Sequence, residues 1–256
     1  MVDILIGEDV IRDINLMIFD KDGTLMELYH YWSQMVAMRA KIIAERLKLN
    51  DTFLEGLMYE MGVDKKAGRL RQDGPVGLKK TEIVMQAAVD YLERNDHKDT
   101  YGLCYEVFAE VDKLSLTMFG KLLKPINGAL PLLDALHKKG CRVAIATTDR
   151  GERARLAMDF LGFGDKIDLI VGADDVGKPK PDPEIAHIIM NNLKVDPLNT
   201  VIVGDAETDV LVGINAGLRA SIGVLTGFAT FEDFKKITPF VTEDVSKIGI
   251  SGRAGG

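Results

Sequence analysis

Two aspartates follow a short apolar run near the start of the chain, and their spacing suits phosphoryl transfer. Residues 15–19 are mostly apolar, as expected for a strand that is buried on both faces of a sheet. Asp20 stands at the carboxyl end of this predicted strand, where open α/β sheets bind their ligands. Asp22 follows two residues later, and Gly23 gives the backbone the freedom to turn. The two carboxylates are therefore predicted to enter one cavity.

The same residues could also form an ordinary polar turn or begin a calcium-binding loop. A calcium loop of this pattern requires glycine at its sixth position and glutamate at its twelfth. The chain has Leu25 and Tyr31 at those positions, and a helix should precede the loop where this chain has a strand-like run. The calcium loop is therefore excluded, whereas the polar turn remains an alternative until the other motifs are considered.

Three later segments also place polar or charged side chains after a predicted strand or in a stiff loop. They are the hydroxyls Thr147 and Thr148, the proline-flanked lysines Lys178 and Lys180, and the carboxylates Asp205 and Asp209. Each segment alone could be a helix cap, a solvated loop or a common turn. Unrelated turns would not produce the whole succession, so the four sets are predicted to share one site.

Hydrolysis of a phosphate monoester would use each of these residue types. Because the ester is anionic and repels a carboxylate nucleophile, the site needs a divalent cation and further positive or hydrogen-bonding groups. Asp20 and Asp205 would hold Mg²⁺, which prefers oxygen ligands. Thr147 would donate to a phosphoryl oxygen, and Lys178 would neutralise charge and hold the nucleophile. Asp22 would then protonate the leaving alcohol and later activate water.

From about residue 130 onward, the sequence alternates between strand and helix patterns. The strands are predicted at 141–146, 168–172, 200–204 and 220–225. Alternation of this kind predicts parallel strands that are joined by right-handed crossovers. We therefore expect an α/β core whose parallel sheet carries the site residues at one edge.

Residues 26–124 have a different pattern, rich in helix formers, methionine and aromatic residues and without a convincing strand. An all-helical insert after the first acidic turn predicts a separate cap over the site. Its basic loop contains Arg69 and Arg71, which would bind a second anionic group of the substrate, although a solvated loop explains them equally well. The predicted divisions are a core of residues 1–25 and 125–240, a cap of residues 26–124, and a C-terminal tail of residues 241–256.

Composition limits the classes of partner. The 256 residues carry a net charge of −7, which argues against nucleic acid or an anionic membrane as the main partner. No apolar run approaches the roughly 20 residues of a membrane helix, and the first residues do not resemble a signal peptide. Cys104 and Cys141 lack metal-ligand spacing and are expected to be reduced thiols. We expect a cytoplasmic monomer or homodimer that acts on a small-molecule phosphate ester.

Together the motifs resemble those of the haloacid dehalogenase superfamily of aspartate-nucleophile phosphohydrolases. The matching segments are Asp20-x-Asp22-x-Thr24, the hydroxyl residue Thr147, Lys178 in Lys-Pro-x-Pro-Asp-Pro, and Gly204-Asp205-x-x-x-Asp209. The helical insert resembles the superfamily's type-1 cap, so the resemblance spans the whole chain. It implies a Rossmann-like parallel-sheet core with an inserted all-helical cap domain.

The resemblance also implies residue roles. Asp20 would form an aspartyl-phosphate, and Asp22 would be the general acid and base. The backbone carbonyl of Asp22 and the carboxylate of Asp205 would complete the Mg²⁺ shell, with Asp209 in support. Thr148, where the superfamily often has asparagine, would join the phosphate-binding group, and Lys21 departs from the apolar or small residue that is common between the two acids.

The pattern resembles phosphoglycolate phosphatases and β-phosphoglucomutases most. We therefore expect a Mg²⁺-dependent phosphatase for a small phosphorylated metabolite, such as phosphoglycolate or a sugar phosphate. A phosphomutase would share all four motifs. A receiver-like regulatory domain also uses aspartate, Mg²⁺, threonine and lysine, but receivers are much shorter, lack a helical lid, and carry their acidic pair a strand before the phosphorylated aspartate.

Overall fold

The computed structural model describes residues 1–252, and these fall into two compact units. One unit, which we call the core unit, combines residues 1–27 with the chain from Pro125 onward. The other, which we call the inserted unit, consists of Leu28–Lys124. In the sequence, the inserted unit therefore lies between the first motif, which contains Asp20 and Asp22, and the later motifs, which begin at Thr147.

In chain order the strands and α-helices are β1 (Val2–Ile6), β2 (Asp9–Ile14), β3 (Leu16–Phe19), α1 (Leu28–Leu47), α2 (Asp51–Glu60), β4 (Val63–Asp64), β5 (Arg69–Leu70), α3 (Thr81–Arg94), α4 (Tyr101–Ser115), α5 (Phe119–Leu122), α6 (Ala129–Lys138), β6 (Arg142–Ala146), α7 (Gly151–Phe160), β7 (Leu169–Val171), α8 (Glu184–Leu193), β8 (Thr200–Gly204), α9 (Glu207–Asn215), β9 (Ala220–Val224), α10 (Phe231–Phe234), β10 (Phe240–Thr242) and β11 (Ile248–Ser251). Every strand that was predicted from residue 141 onward is present, with bounds shifted by a few residues.

A parallel six-stranded sheet forms the centre of the core unit. Its strand order is β10-β9-β8-β3-β6-β7, and all neighbouring pairs are parallel. The central strand β3 is buried along its whole length, because helices cover both faces of a sheet of this kind. The prediction of a Rossmann-like α/β fold is therefore confirmed.

One face of this sheet packs against α8 and α9. The buried side chains that fill this layer include Leu16, Ile18, Ile185, Ile189, Ile202 and Val212. They come from β3, β8 and the two helices, so the strand whose end carries Asp20 is fixed by packing on a helix layer. Close packing of this kind leaves little freedom for side chains at the strand ends.

The C-terminal segment contradicts the prediction of a tail over residues 241–256. β10 continues the parallel sheet, and β11 pairs with β1 in a three-stranded antiparallel sheet of order β11-β1-β2. Ile248 lies opposite Ile6 in this pairing, and both side chains are buried. Local patterns do not predict β11 because its partner, β1, lies at the other end of the chain. Residues 253–256 of the predicted flexible terminus lie outside the described residues.

The inserted unit is helical except for one small hairpin. Helix α1 packs against α2 and α4, and α3 also packs against both of them. The antiparallel strands β4 and β5, two residues each, pair Val63 with Leu70, so the prediction of an insert without strands is wrong at this point. None of the helices within residues 1–252 has the length and apolar character needed to cross a membrane.

The pairing of β11 predicts that Ile248→Ala destabilises the protein. The substitution removes buried apolar volume against β1, so we expect the free energy of unfolding to fall by about 2–4 kcal/mol. Ser251→Ala, in the same strand but at an exposed position, is the matched control and should change it by less than about 0.5 kcal/mol. Chemical denaturation of both variants measures the difference, and equal values would contradict the pairing.

Candidate active site

The carboxyl ends of β3, β6 and β8 bring the predicted site residues to one edge of the parallel sheet. In the register, Phe19 lies between Ile145 of β6 and Val203 of β8. The next residue, Asp20, donates its backbone N–H to the carbonyl of Val203 at 2.9 Å. Thr147 and Asp205 follow the other two strand ends, so parallel pairing alone places all three side chains together.

Three of the predicted acids form a buried cluster. The carboxylates of Asp20, Asp205 and Asp209 each offer an oxygen, and these oxygens all lie within 4.8 Å of one another. Asp205 follows β8 directly, whereas Asp209 comes from the first turn of α9, where acids are favoured by the helix dipole. The structure therefore brings together residues that are nearly 190 positions apart in sequence.

The turn after Asp20 is built closely around Asp205. Gly23 has a φ of +88°, and a Cβ at this position would overlap the carboxylate of Asp205. A Cβ at Gly227, in the loop after β9, would overlap the same carboxylate. Thr24 donates its hydroxyl to Asp205 Oδ1 at 3.1 Å, and Thr226 donates to the carbonyl of Gly23. Asp205 thus lies between two glycines, and a residue with a side chain at either position would displace the Asp205 carboxylate.

Lys180, rather than Lys178, is the lysine of the cluster. Its Nζ lies 2.7 Å from each of Asp20 Oδ1, Asp209 Oδ1 and the carbonyl oxygen of Ala146. These three acceptors use all three donors of the ammonium group. Its side chain is 4% exposed. Burial opposes the charged form, but the charges of Asp20 and Asp209 outweigh it and raise the pKa of Lys180.

The assignment of Lys178 to the site is therefore wrong. Its side chain is 74% exposed and its Nζ lies 3.6 Å from Asp182. The carboxylate of Glu184, at the start of α8, accepts the backbone N–H groups of Gly177 and Lys178. This contact fixes Lys178 on the outer side of the loop, and the chain then turns so that Lys180 points to the acids. Both lysines precede a proline, so the sequence alone gave no way to choose between them.

The acid cluster carries more negative charge than Lys180 can balance. Burial raises the pKa of Asp20 to about 6, with the charge of Asp209 adding to the rise and that of Lys180 opposing it. Burial also raises the pKa of Asp205 well above its usual value, and the neighbouring acids add to this. An excess of negative charge that is carried by carboxylate oxygens alone suits a hard divalent cation such as Mg²⁺. The cluster could therefore hold a metal ion.

Thr147 and Thr148 differ in their surroundings. Thr147 is buried, and its hydroxyl accepts the backbone N–H of Asp149 at 3.1 Å. A hydroxyl can accept this bond and still donate one to a substrate oxygen. Thr148 is exposed at the start of the loop. The structure thus places Thr147 at the sheet edge with its proton available, whereas a substrate contact of Thr148 stays a prediction.

Asp22 belongs to a second group of charges, which sequence reasoning missed. Its Oδ2 lies 2.7 Å from Nζ of Lys21, and that nitrogen also lies 3.3 Å from Oδ2 of Asp149. Its Oδ1 is buried and has no hydrogen-bond partner within the described residues. Burial raises the pKa of Asp22, while the charge of Lys21 opposes the rise. The carboxylate of Asp22 is not among the three clustered acids, so a contribution to a metal would come from its backbone carbonyl, as the motif implies.

The two arginines that were predicted to bind substrate lie in the inserted unit. Arg71 donates to both carboxylate oxygens of Asp73 and to the carbonyl of Tyr59, and its guanidinium lies 4.1 Å from the centre of the Tyr59 ring. These contacts give it a role within the inserted unit. Arg69, in β5, has an exposed side chain. Recognition of a second anionic group by either residue stays a prediction.

Comparison with known proteins shows curated relatives of two named activities. Pyrophosphatase PpaX of Halalkalibacterium halodurans is 29% identical over 82% of this chain and 83% of its own length. A phosphoglycolate phosphatase of Rhodospirillum rubrum is 32% identical, over 43% of this chain and 50% of its own.

Solved structures and a family model agree on the fold. A structure described as a predicted phosphoglycolate phosphatase from Haemophilus somnus aligns with a TM-score of 0.68 at 16% identity, over 92% of this chain and 96% of the other. A β-phosphoglucomutase of Clostridium difficile aligns with a TM-score of 0.57 at 20% identity, over 91% and 92%. The model described as haloacid dehalogenase-like hydrolase matches residues 14–217. Because that match covers most of the chain and contains every strand-end acid of the site, this protein belongs to the haloacid dehalogenase-like hydrolase family.

Proposed function

We propose that this protein is a Mg²⁺-dependent phosphatase that hydrolyses a small phosphorylated metabolite through an aspartyl-phosphate on Asp20. The observation that carries the proposal is the division of labour between two neighbouring acids. Asp20 is bound by Lys180 within the acid cluster, whereas Asp22 lies outside the cluster and is bound by a different lysine, Lys21. A nucleophile acts on phosphorus and a general acid acts on the leaving oxygen, so the two carboxylates need separate positions.

The first half of the reaction transfers the phosphoryl group to the protein. Lys180 orients the carboxylate of Asp20, which attacks phosphorus while the bond to the ester oxygen breaks. Asp22 gives its proton to the departing alkoxide, and Thr147 donates to a phosphoryl oxygen. Asp20, Asp205, Asp209 and the backbone carbonyl of Asp22 would hold Mg²⁺, which, when bound, offsets the negative charge of the phosphate.

The second half of the reaction returns the protein to its starting state. Asp22, now ionised, takes a proton from a water molecule, and the resulting hydroxide attacks the phosphorus of the aspartyl-phosphate. The bond between phosphorus and the Asp20 oxygen breaks, which releases inorganic phosphate. Asp22 is protonated again and Asp20 is again a carboxylate, so the cycle is balanced in atoms and charge.

Two substrate classes are candidates. The sequence motifs favour phosphoglycolate or a sugar phosphate, and one relative is named a phosphoglycolate phosphatase. Inorganic pyrophosphate is the second candidate, because a relative matched over most of its length is named a pyrophosphatase. A phosphomutase remains an alternative that differs by releasing no phosphate. The receiver-like alternative gains no support from the family match. We further propose that the protein works in the cytoplasm, where its buried thiols Cys104 and Cys141 stay reduced.

Phosphate release from a panel of compounds tests the proposal. The panel contains phosphoglycolate, sugar phosphates, nucleotides and pyrophosphate, each with Mg²⁺ and with a chelator. We expect metal-dependent release from one compound or a few related ones, and none from Asp20→Asn, which lacks the nucleophile but keeps the shape of the side chain. Interconversion of sugar phosphates without release would indicate a mutase, and release by Asp20→Asn at the wild-type rate would refute the nucleophile.

Substitution of the two lysines separates their roles. Lys180→Ala removes the ammonium that binds Asp20 and Asp209, so we expect kcat to fall by about 10²–10³-fold, as for the loss of one preorganised electrostatic group. Lys178→Ala is the matched control from the same loop, and its exposed side chain should change kcat by less than about threefold. A larger loss for Lys178→Ala than for Lys180→Ala would contradict the assignment.

Mg²⁺ should stabilise the protein more at pH 7.5 than at pH 5. Without metal, burial holds the pKa of Asp20 near 6 against the usual 3.8, so ionising it lowers folding stability as the pH rises through 6. At pH 5 the proton competes with the cation, and we expect roughly tenfold weaker binding from this residue alone. Calorimetric titration and the Mg²⁺-induced rise in Tm measure the effect.

Asp205→Asn is the control for this measurement, because it removes a carboxylate from the acid cluster. Its Tm should respond little to Mg²⁺ at either pH. A wild-type response that is equal at both pH values, or larger at pH 5, would show that the clustered acids do not bind the cation.

A further inference from the structure

We propose that Lys21 is a positioning residue, which fixes the carboxylate of Asp22 for proton transfer and ties it to the loop that carries Thr147. The inference rests on the proposed phosphatase function and deepens it. Lys21 lies between the two acids of the first motif, and its ammonium pairs with Asp22 and Asp149.

The burial of Lys21 indicates that its charge is needed for a specific interaction. The side chain is only 2% exposed, and its Nζ lies 2.7 Å from Asp22 Oδ2, 3.3 Å from Asp149 Oδ2 and 3.9 Å from Met26 Sδ. Burying an ammonium group away from water is unfavourable unless the group is paired, and an apolar residue would fill the same space without this cost. The carboxylates of Asp22 and Asp149 offset this unfavourable burial by pairing with the ammonium, so Lys21 and the two acids hold one another in place.

The contact with Lys21 makes the two oxygens of Asp22 unequal. Oδ2 accepts the ammonium at 2.7 Å, and an oxygen in such a bond is a poor place for a proton. Oδ1 is buried without a hydrogen-bond partner among the described residues. Lys21 therefore fixes the orientation of the whole Asp22 carboxylate, and with it the oxygen that exchanges a proton with the leaving group, without itself touching the substrate.

Asp149 connects this pair to the phosphate-binding hydroxyl. Its backbone N–H donates to Thr147 Oγ1 at 3.1 Å, and its Oδ1 accepts the N–H of Arg150 at 2.8 Å. Its Oδ2 faces both Lys21 and, at 3.6 Å, Nε of Arg153. The carboxylate of Asp149 is therefore fixed from its own loop and helix. Lys21 contacts both Asp149 and Asp22, so it connects the loop after β6 to the turn after β3 and restrains the carboxylate of Asp22.

A leaving-group comparison distinguishes this role from simple support of the fold. An alkyl phosphate needs a proton on its departing oxygen, whereas p-nitrophenyl phosphate releases a stable phenolate that needs none. The ratio kcat/KM covers the steps up to release of the leaving group, so it isolates this proton transfer. Damage to the fold would lower kcat/KM for both substrates by a similar factor.

The test compares wild type, Lys21→Met and Lys21→Arg on p-nitrophenyl phosphate and on the alkyl phosphate that the wild type hydrolyses fastest. Methionine keeps the unbranched stem and removes the charge. We expect Lys21→Met to lose on the order of 10²-fold in kcat/KM on the alkyl phosphate and less than about tenfold on p-nitrophenyl phosphate. Lys21→Arg should recover part of the alkyl activity. Lys166→Met, a partly buried lysine that pairs with Asp134 and Asp165 elsewhere in the core unit, is the control and should lose little on either substrate.

Asp149→Asn provides the same comparison should Lys21→Met fail to fold. It leaves Lys21 in place and weakens its second contact, so a smaller loss with the same preference for the alkyl substrate is expected. Equal losses on both substrates, in whichever variant folds, would overturn the role of Lys21 while leaving the phosphatase proposal intact. A wild type that releases phosphate from neither substrate would instead refute the proposed function, and this inference with it.

Discussion

Mutual repulsion among the buried carboxylates of Asp20, Asp205 and Asp209 is the constraint on which the rest of the site depends. Three acids within 4.8 Å would not remain in a buried position unless packing held them there and cations compensated them. Lys180 supplies part of that compensation through bonds to two of the acids. The negative charge that Lys180 leaves uncompensated is what would make the cluster suitable for a divalent cation, because a neutral site would have no charge to offset.

The core fold supplies the force that holds these groups. β3 and β8 are buried along their whole length, so the position of each strand end is set by packing rather than by the acids themselves. The turn after Asp20 and the loop after β9 then close on Asp205 with glycines, where a larger residue would displace it. Strand packing and the close approach of the backbone thus prevent the acids from moving apart. The repulsion that remains lowers the local stability, and the packing of the sheet offsets this loss.

Local sequence patterns were sufficient for the parts of the site that lie next to buried strands. Asp20, Thr147 and Asp205 could be predicted because each follows an apolar run, and parallel strands bring such ends together. The choice of Lys180 over Lys178 could not, because it depends on Glu184 binding the loop backbone. The strand β11 was missed for a related reason. Its pairing with β1 joins the two ends of the chain, and nothing in a short window of sequence records a distant partner.

The two lysines of the site divide its charges into separate groups, and this division has a chemical consequence. Lys180 contacts Asp20 and Asp209, whereas Lys21 contacts Asp22 and Asp149. The charge of Lys21 opposes the rise in the pKa of Asp20 as well as that of Asp22, so the two groups remain coupled through their charges. Their positions are nevertheless set by different close contacts, so the nucleophile and the second acid can each be oriented for a separate task. A lysine between the two motif acids is thus compatible with acid–base catalysis because it orients the carboxylate of Asp22 through a contact to one of its oxygens.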